Sequence, residues 1–114
     1  MLVRSIAAAV AVTLAPVARP NVQDWAWGYW VVAGSIDVEA ADIESTIADV
    51  ANRLEPCGYV AFGDVSAKFA LFEPGFAVVV IGPFKLESSA ELARERIKPC
   101  IADAYVKYGG YAGN

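Results

Sequence analysis

The chain has 114 residues, 13 acidic and 9 basic side chains, a formal net charge of −4 and no histidine. This length accommodates one domain at most, and the lack of histidine excludes a histidine general base, a histidine-containing catalytic triad and most zinc sites. An acidic chain without a basic stripe argues against binding to nucleic acid or to an anionic membrane surface.

The N-terminus has the form of a secretory signal peptide. Met1–Arg4 is a short basic start, Ser5–Leu14 is an apolar run too short for an ordinary transmembrane helix, and small residues follow. We predict a signal peptide over residues 1–18, with an uncleaved anchor as the alternative. Because Arg4 is the one charged residue in it, cleavage changes the net charge from −4 to −5. The remaining chain is then periplasmic or secreted, with no stable membrane span.

Residues 19–28 read as a polar lead, and Tyr29–Ile36 as the first strand. A helix follows and stops at Pro56, because apolar residues recur on one helical face at Ile43, Ile47, Val50, Ala51 and Leu54. Tyr59–Ala70 is strand-like and is either one bent strand or two short ones.

The most apolar stretch is Gly75–Phe84, in which no polar side chain interrupts Phe76–Ile81. A short apolar run between turn residues predicts a buried strand. The second helix follows, with Ser88 as its predicted N-cap and a buried stripe of Ala90, Ala93 and Ile97. Asp103–Tyr108 is the last predicted strand, and residues 109–114 form a predicted flexible tail.

The order β-α-β-β-α-β indicates an α+β, ferredoxin-like fold, with a four-stranded antiparallel sheet and both helices on one face. We expect the first and third strands to be central and to run in the same direction. Cys57 and Cys100 each lie just past a helix, and two cysteines in an exported chain usually pair. We therefore predict a Cys57–Cys100 disulfide, with two separate buried thiols as the alternative.

Alternation along the central strands predicts which side chains point away from the helices. If Val79 and Ile81 face the helices, the opposite face carries Trp30, Val32, Phe76, Val78 and Val80. An exposed apolar patch of this kind usually marks a binding site. The alternative is that Trp25, Trp27, the segment Tyr59–Leu71 or the C-terminal tail covers it.

Two motifs carry a resemblance to a known family. Tyr29–Ile36 (YWVVAGSI) is similar to aromatic-x-Val-Gln-x-Gly-Ser-Phe, and Phe76–Phe84 (FAVVVIGPF) to aromatic-x-Arg-Val-x-x-Gly-Pro-Phe. These are motifs of the SPOR domain, a periplasmic module of bacterial cell-division and envelope proteins, and residues 29–108 resemble it. The resemblance implies a ferredoxin-like fold and binding of peptidoglycan glycan strands that lack stem peptides, across the helix-free sheet face.

The resemblance departs from the family where the ligand would bind. The family's glutamine is Val32 here and its arginine is Val78, which leaves an apolar surface with little specificity for a sugar. The candidate ligand-binding residues are Trp30, Val32, Ser35, Phe76, Val78 and Val80.

Two functions follow as hypotheses. The first is a non-catalytic module that binds peptidoglycan glycan. The second is a protein-interaction module, including a possible homodimer, that uses the apolar face. No catalytic constellation is present in the sequence, and we expect neither enzyme activity, a cofactor nor a metal site.

Overall fold

The computed structural model describes residues 24–113, and the predicted signal peptide over residues 1–18 lies outside them. The described residues form an α+β fold, as predicted, and contain five strands, two α-helices and two short 3₁₀ turns at Glu55–Cys57 and Ser66–Lys68. The strands are β1 (Ala26–Asp37), β2 (Phe62–Val65), β3 (Phe69–Ala70), β4 (Phe76–Phe84) and β5 (Tyr105–Tyr111), and the helices are α1 (Ile43–Leu54) and α2 (Glu87–Ile97).

The sheet has the order β2-β4-β1-β5-β3, and every neighbouring pair is antiparallel. The prediction of four strands is therefore wrong by one, because it misses the two-residue strand β3. The prediction that the two central strands run in the same direction is also wrong, since Val31 pairs with Ile81 and Ser35 with Val78 in an antiparallel register. Both β1 and β2 run antiparallel to β4, so the crossover through α1 joins two parallel strands.

The sheet separates two hydrophobic clusters, and the predicted alternation is confirmed. The cluster on the helix side contains Val31, Ala33, Val50, Leu54, Val79, Ile81, Ala90, Ala93, Ile97, Ile101 and Ala104. The cluster on the other side contains Trp30, Val32, Phe69, Val78 and Val80. Consecutive residues of β4 therefore enter opposite clusters, as the two-residue period of a strand requires.

The sheet is curled so that its two edge strands approach each other. β2 and β3 lie at opposite edges, yet only Ser66–Lys68 separates them in the chain. Four steps between consecutive Cα atoms span at most about 15 Å, which limits the distance between the edges. Across the curl, the Tyr111 hydroxyl of β5 donates to the Asp64 carboxylate of β2 at 2.5 Å, although β4 and β1 lie between those strands in the sheet.

The curl places Ser66–Phe72, which we call the strap, against the helix-free face. Two hydrogen bonds hold the first half of the strap: the Ala112 N–H donates to the Lys68 carbonyl at 3.0 Å, and the Phe76 N–H donates to Ser66 Oγ at 3.1 Å. Its Phe69 belongs to the cluster on that face. The segment Tyr59–Ala70, predicted as one bent strand or two short ones, thus contains two short strands, of which the second, β3, is part of the strap.

The predicted disulfide is confirmed, because Cys57 and Cys100 are bonded, with their Cα atoms 6.5 Å apart. The bond joins the 3₁₀ turn after α1 to the turn after α2. Within residues 24–113, no helix has the length and hydrophobicity needed to cross a membrane.

Several predicted boundaries are wrong, three of them with consequences for the packing. β1 begins at Ala26, inside the predicted lead, and β5 extends through Tyr111, inside the predicted tail. α2 begins at Glu87 with Leu86 as its N-cap, so Ser88 lies within the helix and does not cap it.

The two glycines of β5 explain the error at the C-terminus. They pair with Trp27 and Gly28 of β1, and an aromatic ring packs against each. A Cβ atom at Gly110 would lie 2.5 Å from the indole of Trp27, and one at Gly109 would lie 2.8 Å from the ring of Phe72. Glycine is needed here for close packing rather than for flexibility.

Candidate functional site

The predicted apolar patch is a second core and not a surface. Trp30, Val32, Val78 and Val80 are each at most 2% exposed. The strap and Tyr111 cover them, which is the alternative in which the segment Tyr59–Leu71 and the C-terminal residues fold across the face. The hypothesis of a protein interface or homodimer through this face is therefore corrected, because the face is not accessible in the folded domain.

Aromatic contacts hold the strap in place. Phe69 lies 5.3 Å from Trp30 in an edge-to-face arrangement, 4.7 Å from Tyr111 and 4.7 Å from Phe72, centroid to centroid. Trp30 also donates its Nε1–H to the Gly109 carbonyl at 2.9 Å. Such contacts add to the free energy of burying the rings, so the strap is an integral part of the hydrophobic core.

The strap leaves a cavity of about 280 Å³ on the same face of the sheet. Three strands and the end of the strap supply its lining, which consists of Ser35, Ser66, Phe72, Glu73, Phe76, Val78, Tyr105 and Lys107. Of the predicted ligand-binding residues, Ser35, Phe76 and Val78 line it. Ser35 is exposed, Phe76 is half-buried, and Val78 forms part of the floor.

Ser66 gives the cavity a buried hydrogen-bond donor. Its side chain is 1% exposed, and its Oγ accepts the Phe76 N–H at 3.1 Å. A hydroxyl also has one proton to donate. A buried donor of this kind costs free energy unless a water or a ligand accepts from it.

Two opposite charges line the cavity without pairing with each other. Lys107 is half-buried, with its Nζ 5.9 Å from the centroid of the Phe72 ring, a distance at which a cation interacts with the ring face. Glu73 is exposed. Among residues 24–113, ion pairs form between Lys68 and Asp64 and along α2, and neither Lys107 nor Glu73 takes part in one.

Tyr105 contributes a third hydroxyl to the cavity. Its side chain is 47% exposed, and burial of the remainder raises the pKa of Tyr105 above its usual value. The phenol therefore stays protonated at neutral pH and is available as a donor or an acceptor.

A smaller cavity of about 150 Å³ shares Ser35 and Tyr105 with the first one. It lies where the pairing of β1 with β5 stops, at Val32 and Tyr105. Beyond that point β1 continues to Asp37 with a partner strand on one side. The accessible region thus extends from the strap along the open edge of β1 as far as Asp103.

The hydrogen bond between Tyr111 and Asp64, which we call the clasp, also lies on the helix-free side of the sheet. The hydrogen bond to Asp64, together with burial and the carboxylate charge, raises the pKa of Tyr111 to about 12. Burial raises the pKa of Asp64, but the hydrogen bonds from Tyr111, the Val65 N–H and Lys68 outweigh it, so the pKa of Asp64 is lowered overall. Both shifts favour the charged carboxylate and the protonated phenol.

Comparisons of the chain with protein-family models, with curated proteins and with solved structures found no match. The SPOR resemblance therefore rests on the two strand motifs alone.

Sequence reasoning missed most of the cavity. Ser66, Phe72 and Glu73 lie in the least regular part of the chain, and their approach to the sheet depends on the path of the strap. The sequence did indicate that Tyr105 and Lys107 lie on one face of β5, because they alternate with Val106 and share the face of Tyr111.

Proposed function

We propose that the protein is an exported, non-catalytic, SPOR-like module of ferredoxin-like architecture that binds a peptidoglycan glycan strand in the cell envelope, in cell division or envelope maintenance. Its binding site is the cavity beside Ser35, at the margin of the helix-free face, and not the centre of that face. The observation that carries the proposal is the combination of aromatic rings, hydroxyls and unpaired charges in one cavity.

This combination fits the chemistry of a sugar. A sugar ring has apolar C–H faces and hydroxyl groups around its edge, so it needs an apolar wall and several hydrogen-bonding groups. Phe72 and Phe76 supply the wall, and Ser35, Ser66 and Tyr105 supply hydroxyls. The volume of about 280 Å³ is just below the range of roughly 300–1,000 Å³ for small-molecule sites. It suits a single ring, and the adjoining cavity provides room for the next one.

The architecture supports the same proposal. Without β3, the strand order is β2-β4-β1-β5, with one helix in each of the two crossovers, which is the ferredoxin-like arrangement. The strand β3 and the strap are additions to it. The Cys57–Cys100 disulfide is typical of exported proteins.

Glycan binding is tested by measuring the dissociation constant for soluble glycan strands released from sacculi, with and without amidase removal of the stem peptides. The informative variant is the double substitution Ser35→Ala with Tyr105→Phe, which removes two hydroxyls from the cavity. A lost neutral hydrogen bond costs about 0.5–1.5 kcal/mol, so the loss of two should weaken binding by about 5- to 140-fold.

Tyr108→Phe is the matched control. Tyr108 lies on the same strand and is 43% exposed, close to the value for Tyr105, but its side chain points to the helix side and contacts Trp27 and Tyr29. It should bind like the unmodified protein. Absence of binding to peptide-free strands contradicts the proposal, and so does an equal loss of affinity in both variants. Self-association stays a prediction, which sedimentation equilibrium of the purified protein tests.

A further inference from the structure

We infer that the cavity recognises a carboxylate on its ligand, with Lys107 as the counter-ion and the Ser66 hydroxyl as a second donor. The inference rests on the proposed function and makes it narrower. The ligand is then a sugar ring that carries an acidic substituent, such as the lactyl ether of a muramic acid whose carboxylate is free.

Three side chains of the cavity can donate hydrogen bonds to a ligand, namely Ser66, Tyr105 and Lys107. The Ser66 oxygen already accepts the Phe76 N–H, and its hydroxyl has one proton that it can donate to a ligand. The ammonium of Lys107 has three donors and no acceptor. The Tyr105 hydroxyl can donate as well, so a ligand group that accepts hydrogen bonds is matched by each of these three side chains. A carboxylate has two acceptor oxygens and a negative charge that matches Lys107.

The charged side chains of the cavity also favour an anionic ligand group. Lys107 is half-buried, has no carboxylate within 4.0 Å among the described residues, and interacts with the Phe72 ring. Glu73 is exposed to solvent, where screening by water and salt weakens its effect on a charge inside the cavity. The electrostatic balance therefore favours an anionic group at the inner end, and leaves Glu73 to accept hydroxyl or amide protons at the outer one.

Replacing Lys107 should weaken binding of an acidic sugar, whereas replacing Glu73 should strengthen it. The direction of each change therefore tests the inference. We would titrate the purified protein with N-acetylmuramic acid and with N-acetylglucosamine, which lacks the lactyl carboxylate, and follow binding by NMR. The acid should bind at least tenfold more tightly, because hydrogen bonds to a charged group are stronger than neutral ones. Lys107→Gln should abolish this preference, whereas Lys107→Arg should retain it, and Glu73→Gln should strengthen binding of the acid by two- to threefold.

Lys85→Gln is the control, because Lys85 is an exposed lysine that does not line the cavity, and it should leave the preference unchanged. Equal affinity for both sugars would overturn the inference and leave the proposed function standing. Tighter binding of the acid in Lys107→Gln, or weaker binding in Glu73→Gln, would also overturn it. If neither sugar nor a glycan strand binds, both the inference and the proposed function fail.

Discussion

The clasp between Tyr111 and Asp64 should contribute measurably to stability, because it joins strands that are not neighbours in the sheet. Tyr111→Phe removes one hydroxyl and keeps the ring that packs against Phe69 and Trp30. A hydrogen bond to a charged group contributes about 1.5–3 kcal/mol. Asp64 keeps the Val65 N–H at 2.8 Å and Lys68 at 3.4 Å, and its side chain is 20% exposed, so we expect a loss of about 1–2 kcal/mol, at or below the lower end of that range.

The assay is denaturant unfolding of the unmodified protein, Tyr111→Phe, Asp64→Asn and the double variant. In a domain of this size, 1 kcal/mol corresponds to a shift of about 4–8 °C in Tm. The coupling energy from the double-mutant cycle should be about 1 kcal/mol. A coupling energy below about 0.3 kcal/mol would refute the clasp, because that is within the error of additive effects.

The clasp also predicts how stability depends on pH. The folded-state pKa of Asp64 lies below its ordinary value of 3.8, so its contribution is present above that pH and is lost as the pH falls through the folded-state pKa. The folded-state pKa of Tyr111 is about 12 against an ordinary 10.0, so its contribution is present below pH 10 and is lost as the pH rises toward 12. The difference in free energy of unfolding between the unmodified protein and Tyr111→Phe should therefore shrink both at low pH and at high pH. A difference that stays constant from pH 7 to pH 2 contradicts the reasoning.

Three further predictions concern the fold. Val78→Arg buries an unpaired charge in a site that is 2% exposed, so it should prevent folding, as measured by circular dichroism, and a folded monomeric variant would show that the face is accessible. Replacing Cys57 and Cys100 by serine should cost up to about 4 kcal/mol, the chain-entropy value for a 43-residue loop, and an unchanged unfolding midpoint would contradict this. Gly110→Ala should displace the indole of Trp27 and lower Tm, which tryptophan fluorescence and a thermal scan report together, and unchanged spectra would contradict the close packing at Gly110.

The alternation of the central strands could be predicted because it is a local property. Val79 and Ile81 enter the helix-side cluster while Val78 and Val80 enter the other, and this follows from the geometry of any strand. The uninterrupted run of apolar residues in β4 also contained the information that both faces are covered, since a strand with one solvated face usually alternates with polar residues. The prediction of an exposed patch gave too little weight to this signal.

The strap could not be predicted from periodicity. It consists of a 3₁₀ turn, a two-residue strand and Leu71, whose φ of 74° lies in the left-handed region that favours glycine. None of these has a repeating pattern of apolar residues, and their position depends on tertiary contacts with Trp30 and Tyr111. The cavity depends on the strap, so the strand motifs indicated Ser35 and Phe76 but could not indicate Ser66 or Glu73.

We propose that a glycan binds beside Ser35 on the helix-free side of the sheet. The most direct test is to record backbone amide chemical shifts while a peptide-free glycan fragment is added. The largest changes should be at Ser35, Ser66, Tyr105 and Lys107, which line the cavity. Changes confined to the open depression beside the disulfide, around Asp49 and Arg53, or no changes at saturating fragment, would contradict it.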